Sequence, residues 1–112
     1  MSFSLHQLPN GDWVKLARRL TFSLDFDQTF TAAPALWRDF IAAAHAAGHR
    51  VVMITRRPDT AADRDEVTRR TQDAGLDRLI FAGATQKEDA ARAAGEQIDI
   101  WIDDYPAGIP TA

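Results

Sequence analysis

No cysteine occurs among the 112 residues, so neither a disulfide nor a thiolate metal site can hold this chain together. No stretch approaches the ~20 apolar residues of a membrane span, which predicts no membrane partner. Met1 to Leu8 has no basic region followed by a long apolar run, so no secretory leader is expected. The net charge of −3 gives no general electrostatic footprint for nucleic acid. There is no internal repeat and no low-complexity segment. Lysine is scarce: Lys15 and Lys87 stand alone among cations that are otherwise arginines. These absences predict a cytoplasmic protein.

What is present is an ordinary globular balance, 46% apolar and 26% charged, in a length that fits one domain over residues 1–112. Residues 1–17 read as an N-terminal extension. Asn10-Gly11 tolerates φ > 0 at both positions and predicts a β-hairpin between residues 3–8 and 13–17. A short helix over 12–19, capped by Asp12, is the alternative.

From residue 18 onward strand and helix patterns alternate. Leu20 to Phe26, Arg50 to Ile54, Leu79 to Ala82 and Ile98 to Ile102 read as strands. Pro34 opens a helix whose Leu36, Phe40, Ile41 and Ala44 share one face, with Gly48 ending it. A highly charged helix from Thr60 to Ala74 stops at Gly75. The run Thr85 to Glu88 spells the capping box T-x-x-E and predicts the start of a third helix, ending near Gly95. Alternation of this kind predicts an α/β fold with a parallel sheet and right-handed crossovers. Trp37 and Trp101 are expected in the core. His6, His45 and His49 lack metal-ligand spacing and are expected at the surface or in packing.

In an open parallel sheet, ligands bind beyond the carboxyl ends of the strands. Asp25 and Asp27 follow the first core strand, Thr55, Arg56 and Arg57 the second, Lys87 the third, and Asp103 and Asp104 the fourth. Carboxylates gathered at one place repel unless a cation joins them, and magnesium suits oxygen ligands beside a phosphate. One carboxylate can attack phosphorus, and another two residues on can serve as general acid and base. A hydroxyl and an ammonium can hold the phosphate oxygens. Lys87 falls in a first helical turn, where the macrodipole disfavours a cation, so anions are expected beside it.

In this order the residues resemble the haloacid dehalogenase-like superfamily, whose members are mostly magnesium-dependent phosphatases. Asp25-Phe-Asp-Gln-Thr29 is similar to its first motif, D-x-D-x-T. Val51-Val-Met-Ile-Thr55, Lys87, and Ile100-Trp-Ile-Asp-Asp104 are similar to the other three. The resemblance covers about residues 20–106 and implies a three-layer Rossmann-like core over 18–106, with strand order 3-2-1-4 and helices on both faces; the intervals where the family often inserts a cap domain are filled by the core's own helices and strand, so no cap is expected. It implies hydrolysis of a phosphate monoester, with Asp25 as nucleophile and Asp27 as acid and base. It implies Mg2+ on Asp25, the Asp27 carbonyl and Asp104, with Asp103 supporting the metal shell or Lys87, and phosphate on Thr55 and Lys87. The run Thr55-Arg-Arg-Pro58 is similar to a T-x-R-P of nucleotidase-like members and adds Arg57 as a phosphate ligand.

Two positions depart from the family. Gln28 stands where glycine is usual, so a different turn is expected after Asp27. Gly108 stands where an acid often supports the metal site. The expected substrate is a phosphorylated molecule, with nucleotides, nucleic-acid ends, sugar phosphates and phosphoproteins all open, and a homo-oligomer is compatible with the chain. A non-catalytic binding or assembly domain on the same scaffold is the alternative function.

Overall fold

A computed structural model describes residues 3–7 and 13–17 by their backbone and residues 18–110 in full. Phe3–Gln7 (β1) and Trp13–Ala17 (β2) pair antiparallel, with Leu5 opposite Lys15. The Asn10-Gly11 turn and the side chain of His6 lie outside the described residues.

The remaining strands form one parallel sheet of Thr21–Leu24 (β3), Arg50–Thr55 (β4), Arg78–Phe81 (β5) and Ile100–Ile102 (β6), ordered β5-β4-β3-β6. In terms of the core strands this is 3-2-1-4, an α/β fold of the Rossmann-like kind. The strand β4 shows why the sheet needs cover on both sides. Its side chains alternate, as a period of two requires. Val51 and Met53 join one buried cluster with Ile41, Ala44 and Val67. Val52 and Ile54 join a second cluster with Ala91. The first cluster brings in helices Pro34–Ala46 (α1) and Ala61–Arg70 (α2), and the second brings in Lys87–Ala93 (α3). No helix among the described residues is long and apolar enough to cross a membrane.

Several elements differ in detail from the sequence reading. Leu36 does not join the buried face of α1 and is 60% exposed. Trp37, one residue on, turns inward instead and donates its indole N–H to the Thr29 carbonyl at 3.0 Å. The charged helix ends at Arg70, four residues before Ala74, where the Thr71 hydroxyl donates to the Val67 carbonyl at 2.8 Å. It begins as a capped helix, with the Thr60 side chain accepting from the Asp63 amide. The capping box at Thr85–Glu88 does not form. Gln86 takes the cap position, and the Glu88 amide donates to the Ile109 carbonyl at 2.9 Å. A chain segment folded back from the C-terminal side thus does the work expected of the Thr85 hydroxyl.

His45 pairs with Asp77 at 2.8 Å, and the His49 ring nitrogen accepts from the Leu20 amide at 3.0 Å. Both tie neighbouring segments together by hydrogen bonds. Trp37 and Trp101 are partly buried against the two clusters.

Candidate active site

The parallel register sets which strand ends meet. Leu24 lies opposite Met53 on one side and Ile102 on the other, so Asp25 emerges level with the ends of β4 and β6. The Asp25 amide donates to the Ile102 carbonyl at 2.9 Å, which carries the ladder one residue past the strand.

The chain then makes a kinked turn over Phe26–Phe30, extended at Asp27 and closed by the Phe30 and Thr31 amides, which donate to the Asp25 and Phe26 carbonyls at 3.2 and 3.0 Å. Phe26 and Phe30 are fully buried, with their rings stacked at 6.3 Å, and they anchor the turn in the core. Gln28 at its apex has φ 66°, the left-handed conformation that glycine adopts freely. The Gln28 amide donates to the Thr31 hydroxyl at 3.0 Å, which helps to hold the strained residue. A side chain in this conformation costs roughly 1–2 kcal/mol. Gln28→Gly is therefore expected to stabilise the protein by about 0.5–1 kcal/mol, after the added freedom of the unfolded chain is subtracted. Urea denaturation of the two proteins checks this, and a destabilised variant would contradict it.

The turn presents Asp25 inward, 6% exposed, with the Thr29 hydroxyl donating to one carboxylate oxygen at 3.3 Å. Lys87, at the first residue of α3 and 2% exposed, donates from Nζ to the other oxygen at 2.7 Å. The same ammonium donates to Asp103 at 2.5 Å. Two carboxylates thus offset the unfavourable helix-end position of this lysine. Asp103 also accepts from the Tyr105 amide at 2.9 Å, which fixes its orientation.

Asp25, Asp103 and Asp104 each offer an oxygen within 4.8 Å of the others. Three carboxylates face one ammonium, an excess of two negative charges. That donor set of hard oxygens, short of positive charge, fits a divalent cation such as magnesium. The electrostatics of Asp25 express the same deficit. Burial pushes its carboxyl up to about 6, the neighbouring Asp104 and Asp103 push the same way, and Lys87 pulls it back.

Thr55 ends β4, fully buried, and its hydroxyl accepts from the Arg57 amide at 3.2 Å. The Asp27 side chain lies outside the three-carboxylate cluster. It is gripped by Arg57 through Nε and Nη2, both at 2.9 Å. Arg57 also reaches Asp63 at 3.1 Å and Glu66 at 3.0 Å, both on α2. Asp27 foremost, with Asp63 and Glu66 adding, raises the pKa of Arg57 further above its ordinary value. Arg56 is different: its guanidinium donates to the Gln86 side chain at 3.0 Å and packs across Gly108. A Cβ at Gly108 would lie 2.8 Å from the Arg56 terminal nitrogen, so the glycine leaves room for this arginine.

A shallow depression of about 310 Å³ lies beside Asp103 and Asp104, floored by Ala32, Ala33, Leu36 and Trp37. The structure therefore gathers Asp25, Lys87, Asp103 and Asp104 into one cluster, with Thr55 at the adjoining strand end. It pairs Asp27 with Arg57. Thr29, Asp63 and Glu66 were not singled out from the sequence. Thr29 stood in the D-x-D-x-T run, whereas Asp63 and Glu66 looked like the charges of a solvated helix. Comparison with protein-family models, with curated proteins and with solved structures found no match to this chain.

Proposed function

We propose that the protein is a magnesium-dependent phosphatase of phosphate monoesters, a capless relative of the haloacid dehalogenase-like superfamily, acting through an aspartyl phosphate on Asp25 in the cytoplasm. The observation that carries this reading is the buried Asp25 at the end of β3, bonded to Lys87 and within 4.8 Å of Asp103 and Asp104. A nucleophilic carboxylate, a cation for the phosphoryl charge and a divalent-metal donor set are what such a reaction requires.

An Asp25 oxygen attacks phosphorus as the bond to the leaving oxygen breaks. That oxygen takes a proton from Asp27, and the phosphoryl group stays on Asp25 as an acyl phosphate. Water then attacks phosphorus, Asp27 takes its proton, and the Asp25 carboxylate and inorganic phosphate are released. Lys87 and Thr55 hold the phosphoryl oxygens throughout. Asp25, the Asp27 carbonyl and Asp104 would hold magnesium, with Asp103 in support. When bound, it neutralises charge between the carboxylates and the phosphoryl group.

Magnesium-dependent hydrolysis of 4-nitrophenyl phosphate is the first test, and the apolar floor beside Asp104 gives its aryl ring a surface to rest on. Activity that appears with magnesium and vanishes with EDTA is expected. A folded protein that hydrolyses no phosphate monoester would leave a binding domain as the correct reading. Between β3 and β4 there is only the turn and α1, and between β4 and β5 only α2, so neither interval supplies an element to close over the site. An open site gains little remote binding energy from a small substrate. A higher kcat/KM for a nucleotide than for a small sugar phosphate is expected in the same assay.

The two neighbouring acids should separate in their effects. Asp103 is committed to Lys87 and the Tyr105 amide, whereas Asp104 is exposed and meets the Asp25 carboxyl, beside which a cation would sit. Asp104→Ala is expected to raise the magnesium concentration for half-maximal activity by about tenfold or more, as loss of a charge-assisted contact of ~1.5–3 kcal/mol implies. Asp103→Ala should raise it less and lower the melting temperature more. Metal titration and thermal unfolding of both variants decide the order.

A further inference from the structure

We propose that Arg57 is the positioning residue of Asp27 and not a phosphate ligand, an inference that rests on the phosphatase reading above. The guanidinium spends its side edge, Nε and Nη2, on both oxygens of Asp27 at 2.9 Å. That is the planar two-point geometry by which arginine fixes the direction of a carboxylate. Its remaining terminal nitrogen is held by Asp63 at 3.1 Å and Glu66 at 3.0 Å.

Four contacts to carboxylates leave the fork little to offer a phosphate. Three carboxylates around one guanidinium also make this corner net negative by two charges, which repels an approaching phosphoryl group. The guanidinium carbon lies 5.4 Å from the centroid of the buried Phe26 ring, which adds a fixed wall behind it. The side chain of Arg57 is 23% exposed and that of Asp27 48%. Solvent and substrate therefore meet the carboxylate first, with the arginine behind it. Asp63 and Glu66 hold Arg57 to the first turns of α2, whose start is locked by the Thr60 cap. The chain of contacts runs from helix to arginine to Asp27. It fixes an otherwise half-exposed side chain on a turn whose next residue, Gln28, is strained.

The roles separate in steady-state kinetics. A phosphate ligand removed raises KM and weakens inhibition by orthophosphate. A positioning residue removed lowers kcat and leaves both nearly unchanged. Arg57→Gln is expected to lower kcat by about 10- to 100-fold, within the range of acid–base assistance. KM and the orthophosphate inhibition constant should move less than about threefold. Arg57→Lys should show a similar kcat loss, because an ammonium keeps the charge but not the fork; it also carries the test if the glutamine variant does not fold.

A double-mutant cycle with Asp27→Asn supplies the readout that a structural role would not move. In that background Arg57→Gln should cost less than about twofold, since the group it positions is already gone. A tenfold rise in KM and in the orthophosphate constant with kcat intact overturns the inference and leaves the phosphatase standing. So does a full additive loss in the Asp27→Asn background, or full activity in Arg57→Lys. A wild-type protein without phosphatase activity overturns both.

Discussion

Asp25→Asn should abolish turnover while leaving a folded and, without metal, a more stable protein. Asparagine keeps the size of the side chain and can still accept from Lys87 and Thr29, but it cannot form an acyl phosphate. Loss of a covalent nucleophile is not offset by binding, so kcat should fall by roughly 10⁴-fold or more. Activity within about tenfold of wild type would remove Asp25 from the nucleophile role.

The stability half of this expectation follows from the carboxyl being held at about 6 against 3.8 in the unfolded chain. A group raised on folding contributes stability that is fully present below the unfolded value and is lost as pH rises through the folded one. For Asp25 the window is about pH 4 to 6, and above it the metal-free protein carries the penalty of an ionised carboxylate that burial disfavours. Other carboxylates, such as Asp77, Asp99 and Glu96, are lowered on folding and act in the opposite sense. The comparison of wild type with Asp25→Asn cancels them. In EDTA the variant should gain on wild type as pH rises from 4 to 7.5, and magnesium should narrow the gap. Parallel stability curves across that range would contradict this.

Lys87→Met should damage the fold severely at neutral pH. Lys87 is the cation within bonding distance of both Asp25 and Asp103, and its side chain is 3% exposed. Methionine fills a similar volume but leaves these carboxylates, with Asp104 beside them, facing one another without an ammonium. Removing one partner of a buried pair costs about 3–5 kcal/mol because the remaining charge is stranded. The loss should shrink at pH 5, where Asp25 accepts a proton more readily, and again with millimolar magnesium, which binds the folded state. Denaturant titration at pH 5 and 7.5, with EDTA or magnesium, measures each part. A loss of equal size under all four conditions would mean that packing, not charge, is what Lys87 contributes.

Most of the architecture was legible in the sequence. Val51 to Ile54 are apolar on both faces, which a strand shows only when both sides of its sheet are covered. Pro34 placed the start of α1 because its fixed φ and missing N–H suit a first helical turn. Asp25, Lys87, Asp103 and Asp104 meet because they follow the strands, and a parallel sheet brings strand ends to one edge.

Readings that depended on one side chain fared less well. Leu36 and Trp37 are neighbours on α1, and helical spacing alone cannot say which of them turns inward; the Thr29 carbonyl decided it. Thr85 had the right spacing for a cap, but Ile109 already supplied the partner for the Glu88 amide.

Local pattern thus determined the strands, the helices and the edge where acids and cations gather, because those follow from contacts within a few residues. Only the tertiary structure decided which acid meets which cation. Lys87 reaches Asp25 across 62 residues, and Arg57 reaches Asp27 across 30. Such pairings are set by strand order and by where α2 and α3 come to rest. The helix-end position of Lys87 tells that anions lie beside it but not which ones, and Arg57, which reads as a phosphate ligand in its motif, is found holding a carboxylate in the fold.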